Sequence, residues 1–221
     1  MDAFRTRLLP LTGPLFTVLS LVVVFGVQGE TPGVDASGET LVDHYRDEQA
    51  TSIVAALLTP LLATLLILFV AHLRAVARER RVSTGAGPTV MMSGAVLWAA
   101  GMLLGSVMEL ALVDAADQRR AAAAETLNVL LNASWLPYIA GIAITLIGAG
   151  ITVLGSDFLP RWLGWVALVV GLVSLVGPGG FLGVFVAPLW LLVAGALMAR
   201  PSIPLRDPHR VERRTERAAR V

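Results

Sequence analysis

Apolar and polar residues fall in long blocks along this chain, without the strict alternation of a half-buried strand or the narrow stripe of a surface helix. Six apolar runs stand out, at about 8–28, 52–73, 89–113, 127–154, 162–176 and 181–199. A helix needs about 20 apolar residues to cross the hydrocarbon of a bilayer, and five of the six runs are near or above that length. The pattern predicts an all-α fold, a polytopic transmembrane helix bundle of six spans. The first run follows Arg5 and Arg7 and carries Pro10 and Pro14. It is longer than the apolar core of about 7–15 residues in a secretory signal, and it ends in Val27-Gln28-Gly29, so it is predicted to remain as an uncleaved span.

The connections set the orientation. Residues 29–50 form the longest loop, polar and acidic, with Pro32, Gly33 and Gly38 at turns and Ser37 placed to cap a short helix containing Leu41 and Tyr45. The second run is followed by Arg74, Arg78, Arg80 and Arg81, then by a turn-rich stretch ending in Pro88. Asp114, Asp117, Arg119, Arg120 and Glu125 separate the third run from the fourth. The last apolar stretch is interrupted at Gly177-Pro178-Gly179-Gly180, and reads as two helices or as one broken helix. Arginine-rich short loops stay on the cytoplasmic side of a membrane, which favours two crossings. Of the 17 basic residues, 14 then fall on the inside, and Arg46, Arg119 and Arg120 on the outside. Both termini are predicted to be cytoplasmic. Residues 1–199 make the six-span bundle, with the outer loop at 29–50, and residues 200–221 make a basic cytoplasmic tail.

Composition narrows the chemistry. The chain is 56% hydrophobic and 15% charged, outside the range of soluble domains. It has no cysteine, which removes disulfides, thiolate metal sites and cysteine nucleophiles. Every basic residue is arginine, the mark of a GC-rich genome and hence of a bacterial source, with the plasma (inner) membrane as the expected location. No Gly-x-Ser-x-Gly elbow, His-Glu-x-x-His pair, P-loop or dinucleotide fingerprint is present, so no catalytic residue and no cofactor is predicted.

The candidate site lies around Glu109, inside the third run and about one turn from its outer end. A carboxylate at bilayer depth costs roughly 2.5–3.5 kcal/mol at the centre and less toward the interface, so it calls for a partner, water or a proton. Helical spacing puts Gly101, Gly105 and Glu109 on one face, where another helix can approach. Asn128 and Asn132, four residues apart at the start of the fourth run, are its candidate partners as ligand- or ion-binding residues, with Ser134 close by. The alternative is that Glu109 reaches the headgroups and the asparagines join two helices. Asp43, His44, Asp47 and Glu48 have spacing compatible with a weak divalent site, but a solvated helix face explains them equally, and no metal is assigned. Arg161, Trp162 and Trp165 open the fifth run as membrane-interface anchors. Gly101-x-x-x-Gly105 and Gly179-x-x-x-Gly183 fit close helix packing, within one chain, in a homo-oligomer or against another membrane protein. Pro60, Pro137 and Pro188 interrupt helical hydrogen bonding. The expected partners are the lipid bilayer and, at the basic tail, anionic lipid headgroups; nucleic acid is not among them.

The segment Leu159-Pro160-Arg161-Trp162-Leu163-Gly164-Trp165, the loop Gly33-Val34-Asp35-Ala36-Ser37-Gly38-Glu39 and the Leu127-Asn128 start of the fourth run resemble small multi-span membrane proteins of unknown function from GC-rich bacteria. That resemblance implies a similar bundle and brings no activity with it. The sequence favours a non-enzymatic accessory, sensing or ligand-binding component. A small proton- or cation-coupled transporter is the alternative, and a membrane enzyme acting on a lipid is the second alternative.

Overall fold

The computed structural model describes residues 8–27, 32–79 and 85–199. Arg5, Arg7, Arg80, Arg81, the end of the first run at Gln28 and the tail 200–221 lie outside the described residues. The described residues are mostly helical, with no strand among them. A 3-10 turn at Leu9–Leu11 leads into α1 (Thr12–Val22), which continues as a π-helical segment, Val23–Val27. Next come α2 (Gly38–Asp47), α3 (Gln49–Glu79), α4 (Gly87–Asp117), α5 (Ala121–Ala133), α6 (Trp135–Leu154), α7 (Arg161–Ser174) and α8 (Gly180–Ala199), the last preceded by a 3-10 turn at Gly177–Gly179.

Five stretches are long and apolar enough to cross a membrane: Leu9–Gly26, α3, α4, the 34-residue stretch from α5 through α6, and α8. The expected fifth span is shorter than the sequence suggested. It is α7, of 14 residues, because its helix stops at Ser174 ahead of the Gly177-Pro178-Gly179 turn, where Gly177 takes a positive φ of 47°. Other helices outrun their apolar cores. The second span, expected at 52–73, is helical from Gln49 to Glu79, and the third, expected at 89–113, runs from Gly87 to Asp117. Polar residues continue a helix readily once a nucleus is formed, so hydropathy marks the apolar middle rather than the helix ends.

Local chemistry explains several boundaries. Pro88 sits in the first turn of α4, where the missing N–H has no intrahelical partner to lose. At the other end, Arg119 adopts φ 54°, with its N–H donating to the carbonyl of Ala116 and that of Arg120 to the carbonyl of Ala115. This pair of bonds closes α4 as a Schellman turn with arginine in the seat that glycine usually fills. Pro137 has no N–H to offer the carbonyl of Ala133, and the helix breaks there into α5 and α6 around Ser134.

Packing is organised by antiparallel glycine contacts. In α4, Gly87 faces Thr152, Gly94 faces the backbone of Thr145 and Gly101 faces the backbone of Tyr138; from α6, Gly141 faces the backbone of Trp98 and Gly148 that of Met91. A Cβ on Gly101 would lie 2.7 Å from the Cα of Tyr138 and one on Gly87 2.8 Å from Thr152 Oγ1, while those on Gly94, Gly141 and Gly148 would lie closer still to the facing backbone. The contacts recur at 87, 91, 94, 98 and 101, the alternating steps of four and three that make a left-handed helix pair. Gly105, expected to share this face, lies 3.8 Å from Ser134 Oγ and has room to spare. The other expected motif does pack within the chain: Gly179 meets Val173 and Gly183 meets Ser174 and Ile142.

The remaining helices attach to this pair. α7 lies antiparallel along α6, with Gly164 against Leu154, Gly150 against Leu168 and Gly171 against Ile147. Trp190 of α8 donates its indole N–H to the carbonyl of Leu163 at 2.9 Å. α1 runs antiparallel to α8, with Gly13 against Leu191, Gly195 against Pro10, and Thr17 Oγ1 2.6 Å from the carbonyl oxygen of Pro188. Trp98 is buried at the centre, with edge-to-face contacts to Phe16 at 5.5 Å and Tyr138 at 6.2 Å.

Because the α4–α6 seam leaves no space for a side chain, Gly94→Ala and Gly148→Ala are expected to destabilise the protein by about 1–3 kcal/mol each, the usual penalty for overpacking. Gly105→Ala is expected to leave stability unchanged. Thermal unfolding of the three variants in one detergent compares them directly, and equal midpoints for all three would contradict the seam.

Candidate functional site

The loop expected at 29–50 carries α2, and its placement makes the site. Ser37 Oγ accepts the N–H of Thr40 at 3.3 Å, the N-cap anticipated from sequence. Along α2, Leu41, Val42 and Tyr45 are buried while Glu39, Asp43, Arg46 and Asp47 are exposed, so the helix is amphipathic with one face on the protein. That face packs on Leu112, Val113, Ala115 and Ala116 of α4 and Ala124 of α5, with Ile53, Leu127 and Leu131 around them. These residues form a second hydrophobic core, separate from the one between the long helices.

Three polar contacts hold the cap. Asn128 Nδ2 donates to the carbonyl of Gly33 at 2.9 Å. The N–H of Gly38 donates to Glu125 Oε1 at 2.7 Å, and the backbone there approaches Ala121 so closely that a side chain on Gly38 would collide with it. Thr51 Oγ1 donates to Glu48 Oε2 at 2.7 Å at the α2–α3 corner, where the chain turns through Glu48 and resumes as helix.

Glu109 lies on the strip of α4 that also presents Leu112, Val113 and Ala116, at the base of the surface α2 covers. It is 9% exposed, and Tyr45, in the last turn of α2, is 2% exposed. Burial raises the Tyr45 phenol to about 12, and the negative charge of Glu109 adds to the rise. Tyr45 is therefore neutral across the physiological range, with the charge of Glu109 near enough to be felt.

The structure distributes the three predicted site residues differently from one another. Glu109 is buried beneath the cap. Asn128 is buried and holds the loop through Gly33, while Asn132 is exposed and donates to the backbone carbonyl of Asn128 at 2.9 Å. The asparagines thus form a ladder along α5. Tyr45 is the residue near Glu109 that sequence reasoning missed; its place in a short helix capped by Ser37 was visible, but what that helix covers was not. In the acidic cluster, the ring of His44 stacks edge-on against Tyr45 at 5.1 Å, and Glu48 accepts from Thr51. Among the described residues no three of His, Cys, Asp and Glu converge as a metal-ligand set. Arg161, Trp162 and Trp165 are exposed on the first turns of α7, with the two indoles 55% and 58% accessible.

Tyr45 provides a spectroscopic handle. The linkage has a definite sign: a phenol whose folded value lies above the ordinary 10 holds its proton more tightly in the folded protein, so its stabilising effect is complete below pH 10 and is lost as pH rises toward 12. With Tyr138→Phe removing the only other tyrosine, ultraviolet titration is expected to show Tyr45 ionising at about 12. In Glu109→Gln the midpoint should move down only part of the way to 10, since burial is the larger cause. A midpoint at the ordinary value would mean the phenol is not covered. No protein-family model matches this chain, and neither a curated protein nor a solved structure matches it.

Proposed function

We propose that this chain is a six-pass protein of the bacterial plasma membrane with both termini in the cytoplasm, and that it works as a non-enzymatic accessory, sensing or ligand-binding component through its α2 cap. The observation that carries the proposal is the docking of an amphipathic helix, through its own small core, over a buried carboxylate. A cap held by a few apolar side chains and three polar contacts is a discrete element with a docked and an undocked state. A ligand or partner that prefers one state shifts the balance by its difference in affinity. Undocking would expose Leu41, Val42, Tyr45 and Glu109 as a surface for a partner.

Six passes are supported by direction. The antiparallel pairs α4–α6, α6–α7 and α1–α8 are those of a chain that reverses at every connection. An odd number of passes would leave α1 and α8 parallel. α7 is short, but the chain continues past Ser174 until Gly180 meets Ile139 of α6. The arginines follow the same sidedness.

The hydroxyls inside the long helices favour a cap over a transport path. Thr145 donates to Gly141, Thr152 to Gly148 and Ser174 to Val170, each at 2.7 Å, so these groups are spent on backbone carbonyls of their own helices.

Two measurements check the proposal. Reporter fusions at Gln118 and at Val176 are expected to be active in the periplasm, and a fusion after Val221 in the cytoplasm; a periplasmic terminus would refute the orientation. In a deletion strain, Glu109→Gln and Leu41→Ala are expected to accumulate normally yet fail to restore the wild-type envelope phenotype. Leu41→Ala removes about 2–5 kcal/mol from the contact that docks α2. Full rescue by both variants would dismiss the cap, and flux in proteoliposomes that depends on pH and on Glu109 would favour the coupled transporter.

A further inference from the structure

At the opposite end of the bundle from the cap, the last turns of α3 and the first turns of α4 leave an open groove of about 380 Å³, lined by Ala71, Arg74, Ala75, Arg78, Glu79 and Met92. Its composition is divided. Ala71, Ala75 and Met92 make an apolar wall, and Arg74 and Arg78 stand one turn apart on the same face of α3. Two guanidinium groups at that spacing repel each other unless an anion lies between or beside them. Arg74 is half-buried, and its Nε is shielded from solvent without a hydrogen-bond acceptor among the described residues. A buried donor left in this condition costs about 1–3 kcal/mol, more when it is charged. The negative C-terminal end of α3 would oppose an anion here, but the positive N-terminal end of α4 lies alongside and offsets it.

We propose that this groove binds the phosphate of an anionic phospholipid, with Arg74 and Arg78 on the phosphate oxygens and an acyl chain lying along Ala71, Ala75 and Met92. The planar guanidinium matches a phosphate through paired N–H donors, which a single ammonium group does not. The combination of guanidinium groups and apolar wall is what distinguishes a lipid from a free phosphate as the occupant. Among the described lining residues two arginines stand against one carboxylate, Glu79, so a phosphatidylglycerol headgroup fits the groove better than phosphatidylcholine. This site does not depend on the α2 cap.

The test uses the full-length protein in a neutral detergent. Phosphatidylglycerol, phosphatidylcholine or inorganic phosphate is added, and bound lipid is counted by native mass spectrometry alongside the thermal midpoint. Phosphatidylglycerol is expected to bind and to raise the midpoint, with phosphatidylcholine weaker and inorganic phosphate without effect. Arg74→Gln and Arg78→Gln should each weaken phosphatidylglycerol binding about fivefold. Arg74→Lys, which keeps the charge and loses the paired donors, should recover only part of it, while Arg120→Gln, at an exposed arginine past the opposite end of α4, should bind as wild type. An equal loss in Arg120→Gln would show general electrostatic attraction and overturn the groove as a site. Equal protection by inorganic phosphate would overturn the lipid as its occupant.

Discussion

The arrangement of this protein depends on how closely α4 and α6 approach each other. Inside a bilayer, apolar side chains gain nothing by leaving lipid for protein, so helices associate through van der Waals contact and through backbones brought near by small residues. Here glycines from the two helices alternate along one seam, at 87, 94 and 101 on α4 and at 141 and 148 on α6, each set against backbone or a small side chain of its partner. The residues between them are large. Trp98 is carried into the centre of the bundle by the same register, where it meets Phe16 of α1 and Tyr138 of α6. The seam therefore fixes a helix pair and also places the side chain against which a third helix packs.

The rest of the bundle follows by transmission. α6 presents its seam to α4 and, on another face, Gly150 to α7, and α7 returns Gly164 and Gly171 to α6. Trp190 then ties α8 to α7, and Thr17 ties α1 to α8 through the carbonyl of Pro188. Proline in mid-helix removes a hydrogen bond within its own helix. At Pro188 the lost bond is the one to the carbonyl of Val184, and Thr17 donates to the carbonyl of Pro188 itself, so the hydroxyl adds a tie between helices without replacing it.

Much of this architecture was legible in the sequence, and the parts that were not share a cause. Hydropathy located the apolar middle of every long helix, and Ser37 announced α2 as a short helix containing Leu41 and Tyr45, because caps are local properties. The seam was misread because a four-residue glycine spacing, Gly101 to Gly105, drew attention from the seven-residue spacing that α4 uses. Four-residue glycine spacing belongs to right-handed crossings, whereas steps of four and three belong to left-handed ones. Which spacing operates depends on the partner helix, and Gly141 and Gly148 become informative only once α4 and α6 are known to be antiparallel. The meeting of Tyr45 with Glu109 is likewise tertiary: 64 positions separate them, and no local pattern links them.

Helix length accounts for the position of Glu109. α3 and α4 have 31 residues each and extend about 46 Å, while α6 and α8, with 20 residues each, extend about 30 Å, near the thickness of bilayer hydrocarbon. The contact of Gly87 with Thr152 aligns α4 and α6 at one end, so the excess length of α4 projects at the other, past Tyr138 and Ser134. The projecting part of α4 packs there against α5 and α2, with Ile53 of α3 beside them. Glu109 falls within that excess, beyond Gly101 and Gly105, so the amphipathic helix of the 29–50 loop adds to what the neighbouring spans bury around it. A charge at mid-bilayer would need a partner held in place by the whole bundle. At this level the covering element is a ten-residue helix with its own small core, separate from the core that the seam organises.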